Sequence, residues 1–306
     1  MKRLAFTALS AAIASATPAV AQAELQIVTT LPDLAAIASA VAGDHATVTA
    51  LVTSDQDPHY VDGRPSMILP LNRADLLITN GMELEVGWLP PLVTSARNAK
   101  IQPGSPGFLD TSFVIDRIQF NPGPVDRAGG DIHPGGNPHF TFDPRQAKHI
   151  AKAILQRIIQ LDATHAAEIT VNHTRFAKEL DALIKGQRAR FAKLPAPKRR
   201  AVAYHMSLPY LWQWLNIEQI ATIEPKPGIP PNPGHVARVL KTMRATGSRV
   251  IIQESYYPSR ASKTLAKLAR GELVIIPAGT RFAKGETYVQ HITEVTDALH
   301  AALTGK

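Results

Sequence analysis

Apolar and polar positions along the chain fall into short β-like runs alternating with helical patterns. Leu25 to Thr30 (LQIVTT) is a β-rich run that stops just before Pro32, and Pro32-Asp33-Leu34 opens an alanine-rich helix through Ala42. Ala46 to Val52 predicts a second strand, Pro65 to Arg73 a helix, and Asp75 to Thr79 a third strand running into Asn80-Gly81. From Gln102 to Pro138 the composition turns to glycine, proline and short apolar pieces, which predicts a loop-rich crossing region. Asp143-Pro144 then starts a strong helical pattern, with Ile150, Ile154, Ile158 and Leu161 at helical spacing. The segment from Asp162 to Leu194 extends it with almost no breaker except Gly186, and about 30 residues of helix there span about 45 Å. After Pro195-Ala196-Pro197 the alternation resumes. Strands are predicted at Arg200 to Tyr204, Gln219 to Ile223, Arg249 to Gln253 and Glu272 to Ile276. Helices are predicted from Pro209, Pro233, Ser259 and Thr287.

This grammar predicts an α/β protein, two α/β lobes with parallel sheets joined by one long helix. The boundaries are residues 24–143 for the first lobe, 144–194 for the connecting helices and 195–306 for the second lobe. A length of 306 residues also exceeds the size at which single cores usually stop growing. In such layers ligands sit at the carboxyl ends of the strands, here facing an interlobe cleft.

Residues 1–23 carry Lys2 and Arg3, then an apolar run, then Ala21-Gln22-Ala23, the pattern of a cleavable secretory signal peptide. The run is too short, and too broken by Ser10, Ser15, Thr17 and Pro18, for a membrane span. Removing it leaves 31 Lys and Arg against 25 Asp and Glu. The cations are scattered without a basic stripe of interleaved aromatics, so no nucleic-acid partner is expected. The chain has no cysteine, which excludes disulfides and thiolate metal sites and predicts a freely soluble periplasmic protein rather than a lipid-tethered one.

Eleven histidines remain as candidate chemistry. His149, His165, His173, His235, His291 and His300 lie within helical patterns and read as surface or packing residues, and His45 sits in a turn. His59, His139 and His205 come just after strands or in loops at a domain edge, where a site is expected. Three imidazoles held by two lobes suit a borderline ion such as zinc.

Asp57-Pro58-His59, Arg64-Pro65-Ser66, Ala74-Asp75-Leu76 and Asn80-Gly81-Met82-Glu83-Leu84-Glu85 are followed in order by Gly136-Asn137-Pro138-His139, Asp143-Pro144, Ala203-Tyr204-His205, Ile223-Glu224-Pro225 and Ile252-Gln253-Glu254. As a set these resemble the metal receptors of ABC importers that bind zinc or manganese in the periplasm, the ZnuA/TroA-like family, zinc type. The resemblance spans nearly the whole mature chain. It implies two α/β lobes on one long helix with the metal between them, no enzymatic activity, and His59, His139 and His205 as ligands of a transported Zn2+. It also implies a monomer, a membrane permease as partner and a periplasmic metallochaperone as a second one. Relatives that hold manganese or iron commonly carry a carboxylate at the third ligand position, where this chain has His205.

The fourth ligand departs from the family pattern. Many relatives supply an aspartate after the last strand of the second lobe, and here that stretch reads Glu272-Leu273-Val274-Ile275-Ile276-Pro277-Ala278-Gly279. Glu254, ending the strand before it, is the candidate, either as ligand or as a carboxylate that orients a histidine. The other option is a coordination position left to water. His133, with Asp126 and Asp131, makes a thin version of the family's metal-capturing loop and reads first as a solvent-exposed loop histidine. Two other functions compete. A manganese or iron receptor differs only in the ion. A secreted zinc hydrolase would use Glu254 to activate water, but no His-Glu-x-x-His pair supports it.

Overall fold

The computed structural model describes residues 24–120 and 133–305. The signal peptide expected at residues 1–23, and Asp126 and Asp131, lie outside the described residues.

Two parallel four-stranded sheets carry the chain. The first holds β1 (Leu25–Thr29), β2 (Ala46–Ala50), β3 (Leu76–Thr79) and β4 (Phe108–Asp110) in the order β2-β1-β3-β4. Its crossovers include α1 (Pro32–Ala42), α2 (Ile68–Arg73) and α3 (Leu89–Ala96). Two helices follow, α4 (Pro144–Leu161) and α5 (Ala166–Ala192). The second sheet repeats the first order, β6-β5-β7-β8, from β5 (Arg200–Ala203), β6 (Glu218–Thr222), β7 (Val250–Glu254) and β8 (Glu272–Ile276). Around it lie α6 (Pro209–Leu215), α7 (Pro233–Thr246), α8 (Arg260–Ala269) and α9 (Tyr288–Thr304). In each sheet the chain order reverses beside the first strand, which opens a crevice at the carboxyl ends.

Local chemistry explains the helix starts. Proline occupies the first turn of α1, α4, α6 and α7, where its missing N–H costs nothing. Asp143 caps α4 by accepting from Arg145 N at 2.8 Å, and Thr287 and Gln290 form a capping box on α9. The connecting helix is shorter than the pattern of residues 162–194 implies. Asp162 adopts extended backbone (φ −141°), and its carboxylate accepts from Thr164 N at 2.9 Å and binds His165 Nδ1 at 2.7 Å, which ends one helix and starts the next. The resulting 27-residue α5 spans about 40 Å. Two small elements also escape the pattern, β4 because it is three residues long and α3 because Pro90-Pro91 masks its first turn.

Apolar packing joins the lobes. One core gathers Leu34 and Ile37 of α1, Ile150 and Ile154 of α4, Phe176 and Leu180 of α5, Trp214 of α6 and Val295 and Leu299 of α9, together with residues from both sheets. Smaller cores lie behind each sheet, under α2 and α3 in the first lobe and under α7 and α8 in the second. Polar bonds cross between the lobes as well. Asp33, 2% exposed, accepts at Oδ1 from Thr280 N and Thr280 Oγ1, both at 2.6 Å, and Ala278 N donates to Ser54 O at 3.2 Å.

His291 of α9 is fully buried against Phe142, and neither ring nitrogen has a hydrogen-bond partner. An unsatisfied buried polar group costs about 1–3 kcal/mol. His291→Leu is therefore expected to raise the free energy of unfolding by about 1–2 kcal/mol, read as a higher urea midpoint at unchanged slope.

Candidate metal centre

Three loops at the carboxyl ends of the strands carry the histidines. The loop after β2 holds His59 through Asp57, whose Oδ1 accepts from His59 N at 3.0 Å and meets His59 Nδ1 at 2.8 Å. Trp88 Nε1 donates to Pro58 O at 3.0 Å and ties this loop to the one after β3. Burial pushes the Asp57 carboxyl up, but the hydrogen bond and charge of His59 outweigh it and hold the group below its ordinary value.

His139 sits just before α4, and its backbone is fixed from three sides. Asn137 Oδ1 accepts from His139 N at 3.0 Å, Asn137 Nδ2 donates across the lobes to Met206 O at 2.7 Å, and Asn80 Nδ2 donates to Pro138 O at 2.9 Å. Asn80 is itself anchored by Glu85, whose buried carboxylate accepts from Thr30 Oγ1 at 2.6 Å, Asn80 N at 2.7 Å and Gly81 N at 3.1 Å. Gly81 is required here: at φ +86° a Cβ would stand 2.0 Å from Asp110 Oδ1. His139 Nε2 is buried without a hydrogen-bond partner. Burial, followed by repulsion from His59, His205 and His133, pushes the ring well below the usual histidine range and keeps it neutral.

His205 follows β5 and is 4% exposed. Its Nδ1 lies 2.7 Å from Glu224 Oε2, and that oxygen also accepts from Gly228 N at 3.2 Å. Burial lowers the imidazole's proton affinity, but the Glu224 bond and charge, helped by Glu254 and Asp57, raise it above its ordinary value. At His59 and His205 a carboxylate oxygen accepts from Nδ1–H, which leaves Nε2 of the neutral ring as the lone-pair nitrogen.

One nitrogen from each of His59, His139 and His205 lies within 4.8 Å of the others. The ring centroids form a near-equilateral triangle of 5.1, 5.4 and 5.6 Å. Such a set presents neutral nitrogen donors to a single cation. Glu254 lies outside this group. It ends β7 at 1% exposure, accepts at Oε1 from Ser207 Oγ, and leaves Oε2 buried without a hydrogen-bond partner. Burial pushes its carboxyl up. Glu254 and His139 share the lining of a cavity of about 30 Å³, room for a water molecule.

His133 is not the solvent-exposed loop residue that its glycine-rich surroundings imply. It is half-buried, its ring is 5.3 Å from that of His59, and Nδ1 lies 2.8 Å from Met82 O. Met82 and Glu83 both take the left-handed conformation (φ +53° and +59°), which turns that carbonyl towards it. Sequence reasoning also missed the supporting roles of Asp57, Glu224, Glu85, Asn137 and Ser207. The carboxylate two residues before His59 and the Asn-Pro before His139 were the available signals.

Residues 27–302 match the protein-family model described as "Zinc-uptake complex component A periplasmic" (ZnuA). The chain is 25% identical over 258 residues to the manganese ABC transporter substrate-binding lipoprotein ScaA of Streptococcus gordonii, covering 80% of this chain and 76% of that one. It is 25% identical over 277 residues to the iron-binding protein YfeA of Yersinia pestis, covering 86% and 81%. A crystal structure of ZnuA superposes with a TM-score of 0.78 at 19% identity, covering 92% of this chain and 99% of that one. The manganese-bound periplasmic metal-binding protein of Candidatus Liberibacter asiaticus gives 0.75 at 19% identity, covering 92% and 100%.

The pair of His205 and Glu224 has a measurable signature. Because the folded ring holds its proton more tightly than an unfolded one, the pair stabilises the metal-free protein fully below about pH 6.5 and loses that contribution as pH rises through the folded value. Glu224→Gln is expected to lower the His205 titration midpoint in an NMR pH series, and to destabilise the metal-free protein more at about pH 5.5 than at about pH 8.

Proposed function

We propose, from the premise that the chain belongs to the ZnuA family of periplasmic metal receptors serving ABC importers, that its cargo is Zn2+, held by His59, His139 and His205. The family consists of substrate-binding proteins rather than enzymes, which removes the hydrolase reading. Its members work with a membrane permease and ATPase. In this reading the chain is exported by its leader, acts as a periplasmic monomer, takes its ion directly or from a metallochaperone, and docks on the permease.

The observation that carries the choice of ion is the donor set: three imidazole nitrogens within 4.8 Å of one another, with no carboxylate in the group among the described residues. Manganese and ferrous iron are better served by oxygen, whereas a nitrogen-rich set favours zinc. The names of the streptococcal and Yersinia relatives point to manganese and iron. The carboxylate expected at the third position in such receptors is replaced here by His205. Asp57 and Glu224 fix the two flanking rings, and Glu224 increases the basicity of His205. Glu254 stands outside the triangle and reaches the ion through a water in the shared cavity, which gives the fourth position to an exchangeable oxygen.

Calorimetric titration of the metal-free chain is expected to give one tight Zn2+ site, with Mn2+ displaced by Zn2+ in competition. His59→Ala or His139→Ala is expected to weaken Zn2+ by at least about 100-fold; unchanged binding after both substitutions would falsify the assignment. Glu254→Gln, which keeps the Ser207 contact, should cost less than either. Tighter binding of Mn2+ than Zn2+ would transfer the chain to the manganese class.

Protons compete for the same nitrogens. His205, held above its ordinary value, is the first to take one, so Zn2+ affinity is expected to start falling above about pH 6.5 and to drop about tenfold per pH unit below it. His139, pushed well below that range, adds to the slope only at lower pH.

A further inference from the structure

We propose that the groove between α7 and α8, on the outer side of the second lobe, docks an acidic, apolar-faced helical segment of a partner protein. The charge pattern carries the first step. Across residues 226–270 every lysine and arginine is exposed, and the one carboxylate, Glu254, is 1% exposed. Some cations elsewhere are paired, as Lys148 is with Asp181, Arg190 with Asp297 and Arg200 with Glu218. Arg238, Lys241 and Arg244 of α7 and Arg260, Lys263 and Lys267 of α8 meet no carboxylate among the described residues. With no exposed carboxylate in residues 226–270, the six cations of α7 and α8 concentrate a positive field along these two helices.

Between these two basic helices runs an apolar trough of about 530 Å³. Val236 and Leu240 of α7 form one wall, Ala261 and Leu268 of α8 the other, and the residue 230–233 segment (Pro-Pro-Asn-Pro) one margin. Leu268 is 49% exposed, and Ile229 beside the proline segment is 42% exposed. Arg244 Nη2 donates to Leu268 O at 3.2 Å, which ties the two helices together towards their carboxyl ends. Tyr204, next to His205, also lines the trough.

An apolar trough with cationic rims complements a segment with apolar residues on one face and carboxylates beside them, the helix-in-groove mode. α7 is 14 residues long, about 21 Å, so a partner helix of about four turns fits along it. A lipid surface is the poorer fit, because a membrane-seeking face projects its apolar side chains instead of walling a concavity with them. A nucleic acid would need exposed stacking rings, and Tyr204 is 4% exposed.

The probe is a synthetic amphipathic helix with Glu on one face and Leu on the other, labelled and titrated with the intact chain by fluorescence anisotropy. Saturable binding is expected, weakened by salt. Leu268→Glu, and separately the pair Lys263→Glu with Lys267→Glu, should each weaken it by about tenfold. The pair Lys178→Glu with Lys185→Glu, exposed on α5 and equal in net charge, should leave it unchanged. His59→Ala should also leave it unchanged, which keeps this surface distinct from the ion assignment. Equal loss in the α5 pair, equal binding of a scrambled peptide, or binding to phosphatidylglycerol vesicles without binding to the peptide would overturn the proposal.

Discussion

The apolar core seated on α5 is the constraint on which the other features rest. It takes residues from α1, α4, α6 and α9 and from both sheets, so the lobes are halves of one packed body. Packed interiors resist continuous deformation, because small shifts forfeit contact energy over many atom pairs. The strand ends of the two sheets are therefore presented to each other at a separation set by packing. Loops that end near those strands can bring imidazoles from both lobes to within 4.8 Å without a hinge having to close around the ion.

Position is then refined by hydrogen bonds made within a loop or to the loop beside it. His59 leans on Asp57 two residues earlier, His139 on Asn137 two residues earlier, and His205 on Glu224 at the end of the neighbouring strand. Burial, followed by repulsion from the neighbouring histidines, disfavours a proton on His139. The flanking carboxylates favour one on His205. A cation held by these nitrogens would have to replace protons, which would link its affinity to acidity.

Much of this was legible in the sequence for a physical reason. Strands buried in parallel sheets read as apolar runs, as residues 76–78 and 250–252 do, and proline or a capping side chain at helix starts punctuates the pattern. The three histidines stood out because each follows a strand or precedes a capped helix. What stayed hidden depends on contacts between segments far apart in the chain, or on local side-chain bonds that override a helical pattern. The three residues of β4 form a strand only because β3 is beside them, and the break at Asp162 comes from side-chain bonds that compete with the helix. His133 carried no local sign of its nearness to His59, since a carbonyl of Met82, 51 residues away, holds it there. The bond that Ser207 makes to Glu254 Oε1, 47 residues apart, is likewise contained in no spacing rule.

The loop after β8 shows how the shared core bears on the fourth coordination position. The resemblance implied an aspartate there, and the chain instead spends this loop on joining the lobes. Ala278 N bonds Ser54 O, and Thr280 gives both its N–H and its hydroxyl to Asp33. Gly279 packs so closely that a Cβ would come within 3.1 Å of Pro32. A loop clamped in this way cannot also swing a side chain towards an ion without giving up buried hydrogen bonds, each costly to leave unmade. These contacts between the lobes are made by the protein's own groups. Under the proposed assignment, selectivity would rest on the three imidazoles, with the loop after β8 committed to the contacts between the lobes.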